Sequence, residues 1–153
     1  MSKVWAGFFF GQFGAIASMG VVYMASQARK LDIATDTFNY GEVARAAARL
    51  DQMRAAGYKI ALVGYSLGNT TTTYLQLDRD VDLLLAVAMS TLGANHPIRR
   101  AKRSVLWRGS GVLSSAGGNL GFAVTHDVLG VPHLLMDWTP TVLKGVQAEV
   151  ALL

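Results

Sequence analysis

The chain has 153 residues, 52% of them hydrophobic and 16% charged, with a formal net charge of +4. That composition excludes a disordered, highly charged polymer and fits one domain, residues 1–153, around a single core. No cysteine occurs, which excludes disulfide stapling, thiol catalysis and cysteine–zinc sites and leans towards a reducing, cytoplasmic setting.

Lys3 and the largely apolar run from Val4 to Ala25 have the outline of a signal peptide or a membrane span. Gln12 and Ser18 interrupt the run, and glycines stand at positions 7, 11, 14 and 20. The segment therefore reads as a strand over Val4–Phe10, a glycine-rich turn over Gly11–Gly14, and a helix reaching Leu31; no transmembrane segment or cleaved leader is expected. Leu31 to Tyr40 alternates as a strand does. Residues 41–58 then place Val43, Ala46, Ala47, Leu50, Met53 and Ala56 at helical spacing, with Gly57 as the C-terminal cap.

Lys59 to Tyr65 is a short apolar strand. A helix is expected from near Leu67, although Thr70 to Thr73 are poor helix formers and burial against a sheet has to override them. Val81 to Met89 is apolar on both faces, as a central parallel strand should be. Ser104 to Trp107 is a further strand, residues 108–121 a loop, and Phe122 to Thr125 a sixth strand. Thr139 to Leu153 closes the chain as an amphipathic helix, with Thr139 as N-cap and Pro140 in the first turn. Alternation of this kind gives a three-layer α/β sandwich on a mostly parallel sheet of about six strands.

Reactive groups of such a sheet collect at the C-terminal ends of its strands. Ser66 stands there, inside Gly64-Tyr65-Ser66-Leu67-Gly68. A serine that must project from a sharp strand-to-helix turn needs small residues two before and two after it, and Gly64 and Gly68 meet that need. The amide of Leu67 then lies at a helix N-terminus, where it can donate to an oxyanion. A second donor would come from the loop after the first strand, from Gln12 or Phe13; the same glycines also serve a plain tight turn.

A serine nucleophile requires a base. Of His96, His126 and His133, the last has the best context, after the final strand and before the closing helix, with His126 as the alternative. The third member is harder to place. The loops after Ser104–Trp107 and after Val81–Met89 carry no carboxylate where one is expected. Asp127 is the best remaining candidate for orienting His133, and a structural role for it is equally plausible; Asp137 reads as exposed or helix-capping.

The segments "LVGYSLG" and "VPHLLMDWTPTVLKGV", in this order of elements, resemble the α/β-hydrolase superfamily, in a minimal form without a cap domain. Cutinase-like proteins and small esterases, lipases or thioesterases, bacterial or phage, are the similar members. The resemblance implies a catalytic triad and a serine esterase mechanism on a small ester or thioester with an apolar acyl or alcohol part, with no cofactor and no metal. Phe13, Tyr65 and Leu134 suit such an apolar group or the core, and the core is the expected use of Leu134. Without an acid in its usual place, a hydrolase-fold protein that binds a ligand or protein partner without turnover stands as the alternative. A flavodoxin-like nucleotide site is a weaker third, since no G-x-G-x-x-G spacing and no phosphate-loop lysine occurs. The basic residues Arg99, Arg100, Lys102, Arg103 and Arg108 read as a solvated face, and no aromatic-interleaved basic motif points to nucleic acid.

Overall fold

A computed structural model describes residues 3–11, 18–111, 113–114 and 117–153. Six strands form one sheet: β1 (Val4–Phe10), β2 (Ala34–Asn39), β3 (Lys59–Tyr65), β4 (Val81–Val87), β5 (Ala101–Ser110) and β6 (Val124–Pro132). Their order is β2-β1-β3-β4-β5-β6, and every neighbouring pair is parallel. Four α-helices flank the sheet: α1 (Met19–Lys30), α2 (Val43–Ala55), α3 (Gly68–Leu75) and α4 (Pro140–Ala151).

The layers follow from the alternation of side chains along each strand. Phe8, Val63, Leu85 and Val105 pack towards α1 and α4, through Val21, Met24, Ala25, Val142 and Val146. Trp5, Phe9, Leu62 and Leu84 pack towards α2 and α3, through Leu50, Met53 and Leu75. Central β3 and β4 are therefore apolar on both faces, and Leu62, Leu83, Leu84 and Leu85 are fully buried.

Both long N-terminal helices end in the same hydrogen-bonded motif. At the end of α2, Gly57 (φ 86°) donates to the Arg54 carbonyl at 2.9 Å, and Tyr58 donates to the Met53 carbonyl at 3.1 Å. Gly57 is thus the expected cap, in the left-handed conformation that glycine tolerates. At the end of α1 that place is taken by Asp32 (φ 59°), whose amide bonds to Arg29 while Ile33 bonds to Ala28.

Helix α3 exists despite its threonines because their hydroxyls are absorbed locally. Thr73 donates to the Asn69 carbonyl at 2.6 Å and Thr72 to the same oxygen at 3.3 Å, while Thr71 donates to the Tyr40 carbonyl. All three are buried.

Two boundaries differ from the sequence reading. Strand β5 is longer than Ser104–Trp107, because Ala101 to Arg103 pair with β4 while their side chains lie mostly in solvent. Strand β6 runs over Val124–Pro132 instead of Phe122–Thr125. It is an edge strand whose register slips between Arg108 and Ser110, so its partly buried residues Val124, Val128 and Val131 lack the two-residue period. The basic residues face carboxylates: Arg100 pairs with Asp80, Lys102 with Asp82, Arg103 with Glu149 and Arg108 with Asp127. Among the described residues no helix is long and apolar enough to cross a membrane.

Candidate active site

Strand β3 ends at Tyr65, and the chain reverses into α3 through Ser66, whose φ is 53°. A non-glycine residue pays about 1–2 kcal/mol for that left-handed conformation. The turn is held from both sides: the Ser66 amide donates to the Val87 carbonyl at 3.0 Å, and the Ser66 carbonyl accepts from Asn69 at 3.1 Å. The Asn69 side chain adds a bond from Nδ2 to the Val87 carbonyl at 3.0 Å.

The glycines at the two flanks are steric necessities. A Cβ on Gly64 would lie 2.3 Å from Asn69 Oδ1, and one on Gly68 would lie 2.3 Å from the Phe9 carbonyl oxygen. A Cβ on Gly11, which leaves β1, would lie 3.0 Å from the Ser66 Cβ, so the first loop starts directly against this serine. Leu67 follows as the residue that opens α3, with its backbone at φ −63° and ψ −19°. Gln12 and Phe13, expected to supply a second amide, lie outside the described residues.

His133 comes to this turn from the far end of the sheet. It opens a 3-10 helix, His133–Trp138, that follows β6 directly. Its Nε2 stands 2.7 Å from Ser66 Oγ. His133 is held by the residue before the serine: its backbone carbonyl accepts from the Tyr65 hydroxyl at 3.1 Å, and the two rings lie 6.1 Å apart with 27° between their planes. Tyr65 is 2% exposed, so it belongs to the core and not to an open acyl surface. Leu134 takes the opposite course: at 66% exposure it is a surface residue, because the short helix turns only His133, Met136 and Asp137 inwards.

Burial lowers the His133 pKa below its ordinary value, which favours the neutral imidazole that can accept the Ser66 proton. Its other nitrogen, Nδ1, is buried and has no hydrogen-bond partner among the described residues.

The two acid candidates fall in unexpected places. Asp127 sits on β6 directly beside Arg108 on β5, and its carboxylate accepts from Arg108 Nε at 2.6 Å. It is 55% exposed, and the hydrogen bond from Arg108 holds its pKa below the usual carboxylate value. The geometry thus brings Ser66 and His133 together and gives Asp127 to Arg108. Asp137, read from the sequence as exposed or capping, is 1% exposed and caps a helix distant in sequence. Its Oδ2 accepts from the Gly20 amide at 3.0 Å, in the first turn of α1. Burial raises its pKa to about 6, against the opposing bonds from that turn. Its Oδ1 is buried without a partner among the described residues. No periodicity marks Asp137 as buried, since the contact spans 117 residues. His126 lies over Trp107 with ring centres 5.7 Å apart, and His96 lies beside Thr73 and Tyr74. No group of acidic and histidine side chains that could hold a metal ion occurs among the described residues.

A parallel sheet in this order, flanked by helices and carrying the serine elbow after its central strand, is a minimal α/β-hydrolase fold. Solved structures are similar over nearly the whole chain. A Xanthomonas campestris pv. campestris protein assigned to the alpha/beta hydrolase superfamily matches at a TM-score of 0.72 and 15% identity, over 99% of this chain and 100% of its own. Est1E from Butyrivibrio proteoclasticus matches at 0.72 and 13%, over 98% of this chain and 88% of its own. A metagenome-derived lipolytic enzyme matches at 0.68 and 9%, over 100% and 96%. No family model matches the chain, and no relative was found among curated proteins.

Proposed function

We propose that this chain is a serine hydrolase that cleaves carboxylic esters or thioesters, with Ser66 as nucleophile and His133 as base. One observation carries the reading: the 2.7 Å contact between Ser66 Oγ and His133 Nε2, made from a strained elbow at the end of a central strand. A hydroxyl and an imidazole at that separation are what general-base activation of a serine requires. Similar structures that include esterases and lipolytic enzymes support the same reaction class.

In this mechanism neutral His133 accepts the Ser66 proton as Oγ bonds to the acyl carbon. The Leu67 amide, at the start of α3, donates to the oxyanion that forms. Imidazolium His133 then returns the proton to the leaving alcohol or thiol, and the acyl group remains on Ser66. Water, deprotonated by the same imidazole, releases the acid and restores the serine.

The lone Nδ1 of His133 favours a second reading, a hydrolase-fold protein that binds without turnover. An imidazolium with no carboxylate beside it is poorly stabilised, so turnover would be slow even if the nucleophile is competent. One experiment tests the nucleophile that the first reading requires. A fluorophosphonate should add one phosphonyl group to the intact protein by mass spectrometry and none to Ser66→Ala. Wild-type protein that stays unlabelled would sink the hydrolase reading.

A further inference from the structure

On the face of the sheet that carries α1 and α4, the two helices part enough to leave a cleft of about 290 Å³. Phe8 forms its floor, and Met24, Ala28, Val146 and Val150 line its buried walls. Tyr23 and Leu31 are the two ends of its α1 side and are 43% and 48% exposed. Eight residues of helix separate those ends, a span of about 12 Å at 1.5 Å per residue. The cleft is therefore lined along that length of α1, enough for an unbranched chain of medium length.

Its rim is polar on both sides, with Gln27 on α1 and Lys144 and Gln147 on α4. On the neighbouring strand β5 the cations are matched: Lys102, Arg103 and Arg108 each hold a carboxylate. Among the described residues none pairs with Lys144. An apolar slot with a few convergent polar groups is the usual form of a small-molecule site. Here one unmatched ammonium and two carboxamides sit over it, and that set complements an anionic head on an aliphatic tail.

We infer that the cleft between α1 and α4 is a second binding site, for a medium-chain aliphatic carboxylate held at Lys144 with its tail against Phe8 and Ala28. The choice of carboxylate rests on the ester-hydrolase reading, because that reaction releases such an acid. The cleft also adjoins the dyad's support. Tyr23 lies 6.1 Å, ring to ring, from Trp138, the last residue of the short helix that His133 opens. A tail that moves Tyr23 is felt by Trp138.

The test is calorimetric titration of Ser66→Ala with sodium decanoate, kept below its micelle concentration, with Trp fluorescence in parallel. One saturable site and a change in Trp emission are expected. Lys144→Glu should weaken binding at least tenfold, while decanol binding stays within twofold of its value in the parent. Ala28→Trp, which fills the cleft from its α1 wall, should abolish both. If that variant misfolds, the Lys144→Glu comparison still decides. No saturable binding, or equal decanoate affinity with and without Lys144→Glu, overturns the proposal. So does a stable dimer that Lys144→Glu or Ala28→Trp disperses, since a second copy would then be the occupant. Binding is read here without turnover, so its failure is distinct from failure of Ser66 to take a phosphonyl group.

Discussion

At the scale of single residues, the site is built from one strained backbone position and one desolvated ring. Ser66 stays at φ 53° because β3 and α3 fix both of its flanks, and His133 stays neutral because it is buried. The carboxylate that should complete the arrangement is absent from the described surroundings of His133 Nδ1. Asp127→Asn is therefore expected to leave kcat/KM on a p-nitrophenyl ester within about twofold of wild type, since its carboxylate serves an exposed, solvent-screened pair with Arg108. Measured against pH, kcat/KM should show its acid limb below the ordinary imidazole value of 6.5, set by His133 burial, in wild type and variant alike. A tenfold loss in the variant, or a limb above 6.5, would return Asp127 to the mechanism. The pairing of Ser66 with His133 was legible in the sequence because glycine spacing and chain order are written there. Asp127 was not, because its partner is chosen by the register that sets Arg108 opposite it across β5 and β6, and register is a property of the assembled sheet.

At the scale of elements, the central strands and α2 could be read almost to their ends, the strands from their continuous apolar runs and α2 from its helical apolar spacing and the Gly57 cap. Edge strand β6 could not. Its side chains lie mostly in solvent, so burial leaves no pattern in its sequence. Helix α1 offers a test of capping. Asp32 occupies the left-handed position that glycine fills after α2, and it sets a negative charge at the negative end of the helix. Asp32→Gly removes both penalties. A gain of about 0.5–1.5 kcal/mol in urea unfolding is expected, after the entropy that glycine adds to the unfolded chain is counted. A loss of stability would mean that the Asp32 side chain has a partner of its own.

At the scale of the whole molecule, Asp137 joins the two ends of the domain. It lies in the helical turn that starts at His133 and accepts the Gly20 amide in the first turn of α1. The fit is close: a Cβ on Gly20 would come within 2.0 Å of the Asp137 carbonyl oxygen. Burial raises the pKa of this carboxyl from 3.8 to about 6 in the folded protein. At this group the folded state therefore binds more protons than the unfolded state between those values, and the contribution of Asp137 to stability falls as pH rises through that window. The full effect is on the order of 3 kcal/mol, reached above pH 6 and absent below pH 4. His133, whose pKa is lowered, acts in the opposite sense and costs stability only as pH falls below 6.5. The amide oxygen of Asp137→Asn can still accept from Gly20 but does not ionise. Urea unfolding at pH 4, 5.5 and 7.5 should thus show the variant gaining on wild type as pH rises, with the difference constant above about 7. Parallel curves would mean that Asp137 titrates as an ordinary surface carboxylate, and that the tie between the His133 turn and α1 is open in solution.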